Sequence, residues 1–70
     1  MLGEQRATVV DVSALAIHGM GLVDITLRLA SGAALQGRLG PESVPEGLQP
    51  GDEVLAMCAA NMLVSIRRAE

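Results

Sequence analysis

The strongest structural signal in the sequence is a strict alternation of apolar and polar residues in the stretch LVDITLRLA. Apolar side chains occupy every second position from Val23 to Leu29, and Asp24, Thr26 and Arg28 fall between them. Because successive side chains of a β-strand point to opposite faces, this pattern predicts a half-buried strand with one face against a core.

A first strand is predicted just before it, at about residues 6–16. The segment ATVVDVSALAI is rich in β-branched residues, which favour strands. Its alternation places Val10 and Val12 on one side and Asp11 and Ser13 on the other. The two strands are therefore expected to form an antiparallel pair.

Glycine-containing turns are predicted to separate the first three strands. Gly19 and Gly21 in HGMG permit the positive φ that a tight antiparallel connection needs. Ser31-Gly32 marks a second turn. A short third strand follows, in which Leu35, Gly37 and Leu39 alternate with polar residues, so the first three strands form a meander.

The segment after Gly40 predicts a short helix and then a turn. Pro41 suits the first helical position, Glu42 favours the positive end of a helix, and Gly47 is a plausible stop. Pro45 limits the helix to one or two turns. In QPGD, proline followed by glycine is the order that a type II turn requires.

Two further strands, EVLAMCAA and MLVSIRR, complete the chain. The turn between them is expected at Ala60 and Asn61, because asparagine tolerates a left-handed conformation. The predicted fold is therefore all-β, with five short strands and one helical turn between strands 3 and 4. This order resembles the small oligonucleotide/oligosaccharide-binding (OB) barrel, and residues 1–70 are expected to form one domain.

Composition restricts the function classes. With 70 residues and no Phe, Tyr or Trp, the core is built from small or flexible apolar side chains. Exposed apolar surface on such a chain indicates a homo-oligomer or a docked domain. The net charge of −3 without a basic stripe disfavours nucleic-acid binding. No apolar run is long enough to span a bilayer, so we expect a cytoplasmic protein without membrane insertion.

Metal and catalytic sites lack their usual components. Cys58 is the only cysteine, and distant His18 is the only histidine, so Cys58 is interpreted as a buried apolar residue and His18 as an exposed turn residue. Glu42 and Asp24 have no nucleophile or third group with them, so no enzyme activity, metal or organic cofactor is expected. Arg6 and Arg38 are interpreted as solvated residues or interfacial ion-pair partners.

Several motifs of this chain together resemble the molybdenum-pterin-binding (Mop, or TOBE) family, and the resemblance covers nearly the whole chain. ATVVDV resembles the first strand of that family and GMGLVDITL its second. LGPESV keeps the Glu-Ser-Val of the family's Ile-Thr-x-Glu-Ser-Val segment, with Gly40 in place of the threonine. CAANMLVS resembles its closing segment, Lys-Ala-Ser followed by an aliphatic strand.

The resemblance implies an oxyanion site at a subunit or domain interface, with molybdate or tungstate as the bound ion. A tetrahedral dianion favours preorganised donors, which backbone N–H groups at turns and helix starts supply. Two clusters match the family's segments: Glu42 with Ser43, and the amides around Ala59, Ala60 and Asn61. Arg6 falls where the family often has a lysine and would supply charge near an interface.

Two donor groups of the family are missing from this sequence. The family's Lys-Ala-Ser reads Cys58-Ala59-Ala60 here, so a cation and a hydroxyl are absent. The N-terminal Ser-Ala-Arg-Asn segment of the stand-alone anion binders has no counterpart.

Two functions remain open. The first is an intracellular molybdate or tungstate binder for storage, homeostasis or sensing, assembled from two to six copies. The second is a regulatory or dimerisation module of an ABC transporter ATPase of the molybdate type, or of a regulator, with weak or no anion binding.

Overall fold

The computed structural model of the protein describes residues 2–69, and these residues fold into a sheet of five antiparallel strands. One 3₁₀ turn, Pro41–Ser43, lies between the third and fourth strands, and the described residues contain no α-helix. The predicted all-β class and the helical turn are thus confirmed. The strands are β1 Leu2–Ile17, β2 Met20–Leu29, β3 Ala34–Leu39, β4 Glu53–Ala59 and β5 Met62–Arg68.

The strand order is β3-β2-β1-β4-β5, with β1 in the centre. The meander of the first three strands is as predicted, whereas the pairing of β1 with β4 is a long-range contact that alternation does not reveal. The sheet curls until β3 approaches β5, where a Cβ placed on Gly37 would lie 2.9 Å from the Cβ of Leu63. Within residues 2–69 no hydrogen-bonded ladder joins β3 to β5, so the sheet is barrel-like but not closed, and these two edge strands meet through side-chain packing.

Strand β1 is longer than predicted and serves both halves of the sheet. It begins at Leu2 rather than near residue 6, because its first half pairs with β4 over Leu2–Thr8. Its remainder pairs with β2 as far as the hairpin turn, where Ile17 lies opposite Met20.

A β-bulge at Val10 corrects the predicted faces of β1. Val9 pairs with Leu27 and Asp11 pairs with Thr26, so Val10 is the extra residue between them. The bulge reverses the alternation: Val9 is buried at 2% exposure, whereas Val10 is 44% exposed. The expectation that Val10 and Val12 share a face was therefore wrong. A bulge also bends its strand and increases the local twist, as a curled sheet requires.

The core lies on the concave side of the sheet and is entirely aliphatic apart from one thiol. Ile25 and Leu27, the centre of the alternating stretch, are 1% and 0% exposed, which confirms the predicted inner face of β2. Val54 and Ala56 supply the facing layer from β4. The other buried members are Ala7, Val9, Leu39, Leu48, Cys58, Leu63 and Ile66.

Tight turns use left-handed residues where the sequence indicated them, with one exception. The β1–β2 hairpin turns at His18 and Gly19, with φ of 53° and 77°. Gly21 was expected to share this role but lies within β2 opposite Ala16. In QPGD, Gly51 has a φ of 94° and the Asp52 amide donates to the Gln49 carbonyl, as a type II turn requires.

The contact between Gly37 of β3 and Leu63 of β5, the β3–β5 seam, can be tested by a substitution. A methyl group at Gly37 would press on Leu63, so Gly37→Ala should lower the free energy of unfolding by about 1–3 kcal/mol through overpacking. Urea denaturation followed by circular dichroism measures the change. Gly21→Ala is the matched control, because a Cβ there meets nothing within 4 Å and should leave the midpoint almost unchanged. Equal midpoints for both variants would contradict a packed seam.

Candidate functional site

A cavity of about 710 Å³ opens at the end of the sheet where residues of the β2–β3 and β4–β5 turn regions approach each other. Its walls come from the start of β1, the end of β2, the start of β3 and the end of β4. None of its lining residues is charged. The lining residues are Gly3, Gln5, Leu29, Ala34, Leu35, Cys58, Ala60 and Asn61.

The β4–β5 turn supplies main-chain donors at this cavity. Ala60 and Asn61 have φ of 50° and 67°, and they connect Ala59 to Met62, the last pair of the β4–β5 ladder. Such a two-residue turn leaves the amides of its central residues outside the ladder. Within residues 2–69 neither amide has a recorded hydrogen bond. The turn therefore brings two N–H groups and the Asn61 carboxamide to the cavity rim.

Two other polar groups line the cavity from inside. Gln5 lies on β1 opposite Ala56, on the same face as buried Ala7. Cys58 is 7% exposed, and its thiol lies 3.8 Å from the Ala56 carbonyl oxygen, which it meets as a weak donor. The interpretation of Cys58 as a buried small residue is confirmed, and the same residue also forms part of the cavity wall.

The predicted cluster at Ser43 lies in a different part of the fold. The Ser43 amide donates to the Gly40 carbonyl at 3.0 Å, so this N–H is already used within the 3₁₀ turn. The Glu42 carboxylate folds back over the same glycine, since a Cβ there would clash with Glu42 Oε1. This carboxylate makes the local field unfavourable for an anion.

The two predicted clusters are not brought together by the fold. Pro41 and Val44, which flank Glu42 and Ser43 in the sequence, border a separate depression of about 250 Å³ that Val12 and Val23 also line. The cavity at Ala60 and Asn61 is lined by other elements. Ala59, the remaining member, ends β4 and is half-buried.

Arg6 does not reach the cavity. It alternates with Gln5 and Ala7, so its side chain leaves the opposite face of β1. Its Nε lies 3.7 Å from Glu53 Oε1, and more than half of the side chain is exposed. Arg6 therefore acts on the outer face of the sheet, as a member of an exposed ion pair.

All five arginines contact other groups of the same chain. Arg38 binds Asp24 through two hydrogen bonds of 2.7 and 3.2 Å, which confirms its interpretation as an ion-pair partner. Arg67 forms a similar two-bond pair with Glu4. The others reach carboxylates or carbonyls: Arg6 to Glu53, Arg28 to the Gly32 carbonyl, and Arg68 to Asp52 and the Glu46 carbonyl.

Gly3 and Gln5 are the cavity residues that sequence reasoning missed. The predicted first strand began near residue 6, so both residues fell outside it. The signal was present in the sequence, because extending the alternation backward from Ala7 would have placed Gln5 and Gly3 on the inner face.

The family model of the TOBE domain matches residues 6–63 of the chain. The chain belongs to the TOBE domain family. The match includes Ala60 and Asn61 of the cavity and ends just after the β4–β5 turn, whereas Gly3 and Gln5 precede it. Searches of curated proteins and of solved structures gave no match.

Neither a metal site nor a membrane-spanning helix is found in the described part of this TOBE domain. Among residues 2–69, no group of three or more His, Cys, Asp or Glu side chains converges as a metal site would require. None of the described helical segments is long and apolar enough to cross a membrane.

The ion pairs of this TOBE domain lower carboxyl pKa values. The hydrogen bonds from Arg38 lower the pKa of Asp24, and those from Arg67 lower the pKa of Glu4. The pKa of Asp52 is lowered first by the Gln49 amide and then by Arg68. Carboxyl groups with a lowered folded-state pKa stabilise the fold above their unfolded-state values and lose that contribution as the pH falls through the lowered pKa.

We expect the TOBE domain to lose stability on acidification below about pH 4, the range in which unfolded carboxyl groups titrate. Asp24→Asn should be less stable than the wild type at neutral pH, and the difference should shrink as the pH falls, because protonation removes the same charge. Urea midpoints measured from neutral to acidic pH test this. Asp11→Asn, at an exposed position of β1, is the matched control. A difference for Asp24→Asn that does not change with pH would contradict the assignment.

Proposed function

We propose that this TOBE domain is a non-catalytic module that binds a tetrahedral oxyanion of the molybdate or tungstate type at the cavity of the β4–β5 turn. The observation that supports the proposal is the pair of uncommitted amides at Ala60 and Asn61 beside a cavity without carboxylates. Bound oxyanions in proteins are commonly held by such preorganised N–H groups at turns.

Neutral donors are sufficient for this chemistry. Each hydrogen bond to a charged group contributes about 1.5–3 kcal/mol, so several converging bonds hold a dianion without a buried cation. The carboxamides of Gln5 and Asn61 add donors to the amides of the turn. The net charge of −3 acts mainly at distances where it is screened at physiological ionic strength.

The proposed site is open and needs a second wall. The cavity of about 710 Å³ is several times larger than one tetrahedral oxyanion. We propose that another copy of the domain closes it, in an assembly of two to six subunits. Residues 1–70 would then act as one domain in intracellular oxyanion storage, homeostasis or sensing, in the cytoplasm.

The second candidate function is a regulatory or dimerisation module that partners an ABC transporter ATPase and binds anion weakly. One observation favours it: the cavity has no cationic lining residue, and each arginine already contacts a group of its own chain. The Ser43 amide, a donor in the resemblance, is likewise used internally.

Calorimetric titration with molybdate, tungstate and sulfate distinguishes the two functions. We expect binding with a fixed anion-to-subunit ratio, and we expect Gln5→Glu to weaken it by at least tenfold, because the new carboxylate would face the bound anion in the cavity. Gln36→Glu is the matched control: it changes the net charge equally, but Gln36 is exposed on β3 and contacts Thr26 outside the cavity.

Absence of heat with all three anions, together with normal assembly of the protein, would reject anion binding and favour the regulatory module. Equal weakening by Gln5→Glu and Gln36→Glu would place the anion elsewhere on the surface.

A further inference from the structure

The β1–β2 hairpin extends beyond the part of β1 that β4 covers. The β4 ladder stops at Thr8, and the last bonds on that side of β1 are those between Val9 and the Gly51–Asp52 turn. From Asp11 to Ile17, β1 pairs only with β2. Within residues 2–69 no other main-chain partner is recorded for this edge.

This edge lacks the usual protection against strand addition. Natural sheets shield their edges with charges, prolines or covering loops. Between Val12 and Val23 the hairpin has no Asp, Glu, Lys, Arg or Pro, and its polar side chains are those of Ser13 and His18. An uncharged strand with one open edge is a template for another strand.

Both faces of the hairpin are also apolar. On the concave side Val12, Ala14 and Val23 line a depression whose other wall is the segment 41–48 of the same chain, so this face is partly covered. Leu15 and Ile17 leave the other face, where Met20 at the tip is 64% exposed. A two-stranded hairpin with two apolar faces is only marginally stable in water by itself, so a cover is expected.

We propose that a second copy of this chain adds to this edge, with the two Asp11–Ile17 segments paired antiparallel about a twofold axis at Ala14. This rests on the assembly in the proposed function and adds a second contact to it, because the edge lies at the opposite end of β1 from the cavity and the copy attached here is not the one that closes the cavity. The result is one continuous sheet across both copies.

The register follows from length and charge. Centring the axis on Ala14 pairs the whole free edge with itself, so that Asp11 lies opposite Ile17 of the partner subunit. The two Asp11 carboxylates then lie at opposite ends of the paired segment, so they do not repel each other closely. His18 at the hairpin turn falls next to the partner's Asp11, so that an imidazole N–H faces a carboxylate acceptor at each end. Small Ala14 side chains meet at the axis.

Hydrogen-bond geometry agrees with that centre. In a two-residue hairpin the closing pair, here Ile17 and Met20, exchanges both of its hydrogen bonds. Alternate residues back along β1 then bond to β2, while the N–H and C=O groups of Val12, Ala14 and Ala16 point to the open edge. Pairing at Ala14 uses these groups.

Surface area indicates a dimer of modest strength. The protein exposes 4566 Å², whereas a compact monomer of its mass exposes about 4100 Å² by the usual scaling. Two copies that each bury this excess remove roughly 900 Å² in total, at the low end of specific interfaces. The dimer should therefore depend on concentration.

Sedimentation velocity across roughly 1 µM to 1 mM, the range of weak interfaces, tests the proposal. We expect the wild type to shift from monomer to dimer in this range and Ala14→Pro to shift its midpoint upward by at least tenfold. Proline removes the outward N–H of the edge without removing a bond to β2. Ala30→Pro, at the second position of an exposed turn that tolerates proline, should behave as the wild type.

Cysteine cross-linking gives a second measurement that does not depend on the folding of the proline variant. Under mild oxidation Ala14→Cys should form a disulfide-linked dimer at least tenfold faster than Ala30→Cys, because the twofold axis brings the two introduced thiols together. Cys58 is buried and present in both variants.

The outcomes separate this inference from the proposed assembly. A wild type that remains monomeric throughout rejects both. A wild type that assembles while Ala14→Pro assembles equally well, or while the two cysteine variants cross-link at the same rate, rejects the hairpin edge and leaves assembly through another surface.

Discussion

One extra residue in the central strand determines the shape of this protein. Strand β1 must pair with β4 over its first half and with β2 over the rest, and the bulge at Val10 marks the change between the two. Because a bulge bends and twists its strand, β4 and β2 can diverge, and the five strands curl far enough for β3 to meet β5. The cavity and the uncovered hairpin edge both follow from this arrangement, one at each end of β1.

Elements whose signal lies within a few neighbouring residues were predictable from the sequence, whereas those that depend on long-range pairing were not. Alternation predicted β2 and β3, and left-handed turn residues predicted the turns at Gly51 and Asn61. The bulge was not visible, because Val9 and Val10 have identical side chains and only the pairing with Leu27 shows which one is inside. The β1–β4 ladder joins residues about fifty positions apart, which periodicity cannot report.

The candidate site was only partly predictable for the same reason. The turn at Ala60 and Asn61 was predicted from a local signal together with a family resemblance, and it lines the cavity of the candidate site. Whether a donor is available depends on its neighbours, as the internally bonded Ser43 amide shows. The role of Arg6 depended on which face of β1 its side chain leaves. On the outer face it meets Glu53, which belongs to a strand distant in sequence. Resemblance supplied residue types, whereas the fold determines which groups are free.

The seam between β3 and β5 has a consequence for the cavity beside it. Ala34 and Leu35 of β3 form one wall, and Cys58 with Asn61 forms the opposite one. The two walls are held together by the packing of Gly37 on Leu63 and by no main-chain ladder within the described residues. A small separation along this line would widen the opening while all four ladders stay intact. The width of the cavity therefore depends on side-chain packing and not on main-chain hydrogen bonds.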